Sequence, residues 1–209
     1  IIGLSIMFLA GVSWLLFAGG GLALLAALPV ALAGLHDYQK RRIEVFLDPD
    51  KDPLGAGYHI AQSKIALGSG GIEGKGFMQG TQSRLDFLPE KHTDFAFTMF
   101  GEEWGYAGSV ALLSLYLIVL LWALFMAMRA EGTFARLTSA GFVVTLATYV
   151  LINIAMVTGL VPVVGVPLPL VSYGGTAMLS LMATLGLAMS SRVHGGEPRP
   201  LSPHRPDDA

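Results

Sequence analysis

At 209 residues, 53% of them hydrophobic and only 13% charged, with a mean hydropathy of +0.61, the chain lacks the polar surface of a soluble domain, where about a quarter of residues are charged. A formal charge of -2 gives no argument for nucleic acid as a partner, and the absence of cysteine excludes disulfides and thiolate metal sites. Charge is crowded between Asp37 and Glu103, so the composition is that of an all-α polytopic membrane protein with one long polar insertion.

Residues 1–35 contain no ionisable side chain. As one helix they would run about 50 Å, against a hydrocarbon core of about 30 Å. Residues 1–36 are therefore read as two passes, the first truncated, broken at Gly11-Val12-Ser13-Trp14 in preference to Gly19-Gly20-Gly21, which leaves Leu15 to Leu35 as the full span. Ile1 is not a start residue and no basic flank precedes it, so a cleaved signal peptide is not expected and the chain reads as the back part of something longer.

The polar segment 37–94 is too long for an ordinary connection, and short helices are expected within it. Lys40, Arg41 and Arg42 read either as a basic collar at the membrane surface or as substrate-binding groups. Asp48-Pro49-Asp50-Lys51-Asp52-Pro53 reads as a turn, because it lacks the spacing of a calcium loop. Tyr58 to Leu67 suits a helix stopped by Gly68. Gly68 to Gly76 fails the P-loop pattern, since Ser69 stands where glycine is needed and Gly76 where a hydroxyl is needed. Lys75 within it offers either a cation for a ligand or part of a tight structural turn.

Phe87-Leu88-Pro89-Glu90-Lys91-His92-Thr93-Asp94-Phe95 is the densest cluster of proton-moving side chains. Pro89 blocks a helix through it. Phe97, Phe100 and Trp104 then recur at helical spacing, which puts Asp94 at a helix start. Residues 95–129 predict a membrane helix with an interfacial start, and Glu102 reads as surface charge, with orienting a nearby cation or helping to hold a metal as the alternative. In the next span, 137–159, Thr145, Tyr149 and Asn153 share one face directed into the bundle. Three prolines between Val161 and Pro169 make 160–169 a loop. Ser172, Thr176, Ser180, Thr184 and Ala188 form a stripe of small residues on the last span, 170–192, suited to close approach of another helix, with hydroxyls lining a wet cavity as the alternative, and 193–209 reads as a disordered tail. Arginines at 129, 136 and 192 mark one side as cytoplasmic, which puts 37–94 and the proline loop outside.

Phe87 to Phe95, followed by Gly101-Glu102-Glu103-Trp104-Gly105, resembles the SEDS family of bacterial cell-wall polymerases (RodA, FtsW and SpoVE). Asp48 to Tyr58, Gln62 to Gly71, and Pro167-Leu168-Pro169-Leu170-Val171-Ser172-Tyr173-Gly174-Gly175 resemble the same family in the same order. Their wording is closer to the RodA branch of cell elongation and shape maintenance than to the FtsW branch of division. The resemblance implies the C-terminal part of a ten-helix bundle with a large extracytoplasmic loop, in the bacterial inner membrane. It implies a peptidoglycan glycosyltransferase that joins lipid II, an undecaprenyl-linked glycan precursor, into β-1,4 glycan by inversion, and a class B penicillin-binding protein and other elongation-complex membrane proteins as partners. Asp94 matches the family's essential aspartate and is the expected general base, a role that stands beside simple helix capping. Lys75, Lys91, His92, Gln62, Ser63 and Glu90 are the expected substrate-binding residues. Mg²⁺ or Mn²⁺ is expected from the leaving-group chemistry and the resemblance, with no metal motif in the sequence. A lipid II flippase and a non-catalytic scaffold of the cell-wall machinery are the competing readings; the first calls for ionisable groups near the bilayer midplane, which the spans lack.

Overall fold

A computed structural model describes residues 2–48, 52, 55–81, 93–130 and 132–193. Seven helices and no strand occur among them: α1 (Ile2–Leu9), α2 (Trp14–Ala33), α3 (Asp37–Leu47), α4 (Ala56–Ser69), α5 (Ala96–Met128), α6 (Thr133–Val157) and α7 (Gly175–Val193). Glu90, Lys91, His92, Pro89 and Arg84, most of the 48–53 turn and the tail from 194 onward lie outside the described residues.

The first break falls between α1 and α2, where Gly11 takes φ +87° and its amide and that of Val12 close a turn on Phe8 and Met7. Three helices, α2, α5 and α6, are long and apolar enough to cross a membrane, and α7 is a shorter apolar helix. The two extremes of burial are instructive. None of the spanning part of α2 is buried and its leucines stand mostly open, whereas half of α6 is buried. In a bilayer an all-apolar surface such as that of α2 meets lipid at no cost. α6 is the hub, packed against α1, α4, α5 and α7. The core forms where α5, α6 and the proline loop meet, from Phe95, Phe97, Tyr116, Phe142, Leu146, Met156 and Leu168.

Several boundaries differ from the sequence expectation for visible reasons. α4 runs through Gly68 and stops only at Gly70, whose backbone lies against the carbonyl of Gly101. α7 begins at Gly175 rather than near Val171, because the amides of Val171 and Ser172 turn back onto the Leu168 carbonyl. α6 starts at Thr133, four residues early, and so includes Arg136.

α5 is too long for one crossing and is interrupted at Gly105, with φ 67° and ψ -163°. Tyr106 to Met128 then spans about 35 Å. The interruption strands two amides and two carbonyls, and the glycine loop after α4 satisfies all four. Tyr106 and Ala107 donate to the carbonyls of Gly71 and Ile72 at 2.8 and 3.1 Å, while Lys75 and Gly76 donate to those of Glu102 and Glu103 at 3.1 and 3.0 Å. The backbones approach so closely that a Cβ on Gly105 would overlap the Gly74 amide, and one on Gly74 would overlap the Glu103 carbonyl.

Candidate active site

Of the residues expected to bind substrate, two serve the fold. Ser63 is fully buried; its hydroxyl donates to the Val157 carbonyl at 2.8 Å and accepts from Thr98 Oγ1 at 2.7 Å, tying α4, α5 and α6 together. Lys75 Nζ sits 2.7 Å from Glu102 Oε1 and donates to Thr81 Oγ1 at 2.8 Å. Glu102 is not surface charge: it is 0% exposed and also accepts from the Thr81 amide and hydroxyl at 2.8 and 3.0 Å. The sequence hides this because an acid beside Glu103 at a loop-helix border looks solvated, and only the docking of the glycine loop covers it. Gln62 is partly buried on α4.

Asp94 lies in the turn Thr93–Phe95 that leads into α5. The N-cap position of the helix is Phe95, one residue later. The surroundings of Asp94 come from elsewhere in the chain. Asn153 of α6 donates through Nδ2 to the Asp94 carbonyl at 2.9 Å and to the Val166 carbonyl at 2.7 Å. The proline loop passes directly over the carboxylate: a Cβ on Gly165, which has φ +75°, would stand 3.1 Å from Asp94 Oδ2. Two further ties hold that loop, the Tyr116 hydroxyl donating to the Pro169 carbonyl and the Leu168 amide donating to Ser172 Oγ at 2.8 Å.

Gly165 is on the wall of a cleft of about 440 Å³ between α6, α7 and the proline loop, also lined by Thr145, Tyr149, Ser172, Ser180 and Thr184. Thr176, Ser180 and Thr184 of the stripe therefore line an open cleft, whereas Ala188 packs against the core. The hydroxyl protons are mostly taken by the stripe's own helix: Ser180 donates to Thr176 O at 2.9 Å, Thr184 to Ser180 O at 2.7 Å, and Thr145 across the cleft to Gly141 O at 2.8 Å. Such back-bonded hydroxyls present acceptor lone pairs and methyl groups to the cleft. The arrangement is a carboxylate packed against Gly165 of the proline loop, which walls a cleft whose other lining residues tolerate hydrocarbon. Among the described residues no three acidic or histidine side chains converge to hold a metal ion.

The family model for the FtsW/RodA/SpoVE cell cycle proteins matches residues 1–195. The chain belongs to that family. As a member of the FtsW/RodA/SpoVE family it is 52% identical over 193 residues to the peptidoglycan glycosyltransferase MrdB of Escherichia coli strain K12, covering 92% of this chain and 52% of the relative. It is 41% identical over 156 residues to the peptidoglycan glycosyltransferase RodA of Treponema pallidum, covering 75% and 36%. The chain thus spans about half the length, or less, of these curated relatives. Its fold matches a chain of a solved peptidoglycan synthase complex, described as coordinating polymerization and crosslinking, with a TM-score of 0.77 at 31% identity over 92% of this chain and 53% of that one.

Proposed function

We propose that this chain carries the reaction centre of a RodA-like peptidoglycan glycosyltransferase that polymerises lipid II, with Asp94 as general base. The observation that supports this most directly is the Asp94 carboxylate lying against Gly165, a residue of the loop that walls the membrane cleft. A lipid-linked sugar needs such a border, with a proton acceptor at the polar end and a hydrocarbon-tolerant wall below.

In the proposed reaction the 4-hydroxyl of an acceptor sugar attacks the anomeric carbon of an undecaprenyl-pyrophosphate donor. The new O–C bond forms as the bond to the pyrophosphate oxygen breaks; the bonding pair leaves with the pyrophosphate, and Asp94 takes the hydroxyl proton. One displacement inverts the α-linked donor to a β-1,4 product. A neutral sugar hydroxyl is a weak nucleophile, and a positioned base contributes about 10²–10⁴-fold. Positive charge for the leaving group is assigned to Lys91 and His92, which precede Asp94 by three and two residues, since Lys75 is held by Glu102. Gln62 and Glu90 are proposed as polar contacts to the sugars. Mg²⁺ or Mn²⁺ enters the proposal only as further charge on the pyrophosphate, and no step is routed through it. The protein is placed in the bacterial inner membrane with its Asp94 end outward, beside a class B penicillin-binding protein that cross-links the product.

The test is polymerisation of purified lipid II by the natural full-length protein and its Asp94→Asn variant. Asn keeps the size of the side chain and removes its basicity, so the rate should drop by about 10²–10⁴-fold. Wild-type polymerisation by the variant overturns the base assignment. Loss of lipid transport without loss of polymerisation would favour a flippase instead.

A further inference from the structure

Asn153 is fully buried on α6, one turn beyond Tyr149. Both protons of its amide are engaged, one on the carbonyl of Asp94 and one on that of Val166, at 2.9 and 2.7 Å. These acceptors belong to segments more than seventy residues apart in the chain, so a single NH₂ group joins the turn that carries the carboxylate to the loop on which the carboxylate rests. Two acceptors facing one side chain call for two donors. Ser and Thr have one proton, ionised Asp has none, and Gln carries the same fork one methylene farther out.

Tyr116 and Ser172 also tie the proline loop, to Pro169 and Leu168, but neither bond reaches the Asp94 turn. The other end of the Asn153 amide is informative too. Its Oδ1 is buried and makes no hydrogen bond among the described residues. A buried unbonded oxygen opposes folding, which fits a side chain whose contribution is placement more than stability.

We propose that Asn153 is the positioning residue of Asp94, clamping the Thr93–Phe95 turn to the proline loop so that the carboxylate stays against Gly165. The proposal rests on the reading of Asp94 as the base. Displacing a reacting group by about 1 Å costs on the order of 10²-fold in rate, and releasing this clamp frees the turn on the side facing the cleft.

Steady-state polymerisation of purified lipid II by the natural full-length protein tests it, with Asn153→Ala, Asn153→Asp, Asn153→Ser, Tyr116→Phe and Asp94→Asn compared. Asn153→Ala and Asn153→Asp should lose about 10²-fold in kcat with little change in the KM for lipid II, and Asn153→Ser, with one donor left, should fall between them and wild type. Tyr116→Phe unties the same loop at its far end and should lose roughly tenfold less. Parallel losses in the Tyr116 and Asn153 variants, or losses carried by KM, would mean that Asn153 only shapes the loop, and the proposal falls. Should Asn153→Ala fail to fold by melting and gel filtration, the nearly isosteric Asn153→Asp decides: wild-type kcat overturns the proposal. The arms separate the two ideas, because activity in Asp94→Asn sinks the base reading itself, whereas an inactive Asp94→Asn beside a fully active Asn153→Asp sinks only the clamp.

Discussion

The glycine loop and the proline loop are two irregular segments laid against the same helical bundle, and they are anchored by opposite means. The glycine loop keeps its amides and pairs them directly with backbone: four main-chain bonds bridge it to the interruption in α5, and the Lys75–Glu102 pair closes it. The proline loop has lost three amides to Pro162, Pro167 and Pro169, so its carbonyls outnumber its donors. Side chains reach in to balance it, with Asn153 and Tyr116 donating to Val166 and Pro169, while Ser172 takes up the Leu168 amide. A loop held by backbone is a rigid brace. One held by neutral side chains from neighbouring helices can carry a carboxylate beside it without introducing a fixed charge into the cleft.

If this contrast is sound, changes in the glycine loop should register chiefly as lost stability, and the largest effect should come from Gly105. Gly105→Ala forces a side chain into a left-handed backbone already in contact with Gly74; strain and overlap together should cost about 4 kcal/mol, read as a drop in Tm in detergent. A small change in Tm would show that the brace is not rigid.

Next comes the charged pair, and it is asymmetric. Lys75→Met removes an ammonium 2.7 Å from the fully buried Glu102 carboxylate and should cost about 3 kcal/mol. Glu102→Gln leaves an ammonium whose side chain is 26% exposed and can turn to water, for a loss of about 1–2 kcal/mol. Melting curves of the two variants should therefore differ in that order; equal losses would mean that the pair behaves as a surface contact.

The same contrast explains how much the sequence discloses. Long apolar helices, the break at Gly11 and the proline loop were legible because length, charge-free runs and proline act locally. What stayed hidden depends on partners distant in the chain. Ser63 looks like a polar group in a family motif, yet its neighbours Thr98 and Val157 are 35 and 94 residues away. Glu102 reads as solvated until the glycine loop covers it. Asn153 was placed correctly on an inward face, but its two acceptors lie in segments that no periodicity connects. The α7 stripe shows the limit most plainly, because small residues at every fourth position suit a packed helix and an open cleft equally well.

The smallest expected effect belongs to the proline loop. Ser172→Ala removes the oxygen that accepts the buried Leu168 amide, but the Ser172 amide still donates to the Leu168 carbonyl at 2.9 Å and keeps the turn closed. One neutral bond is lost in a turn with a second closure, so stability should fall by only about 1 kcal/mol, a Tm shift smaller than that of Lys75→Met measured under the same conditions. The comparison depends on this ranking. If Ser172→Ala destabilised the protein as much as Lys75→Met, the proline loop would be a brace in its own right, and the distinction between a loop that holds the fold and a loop that places the carboxylate would disappear.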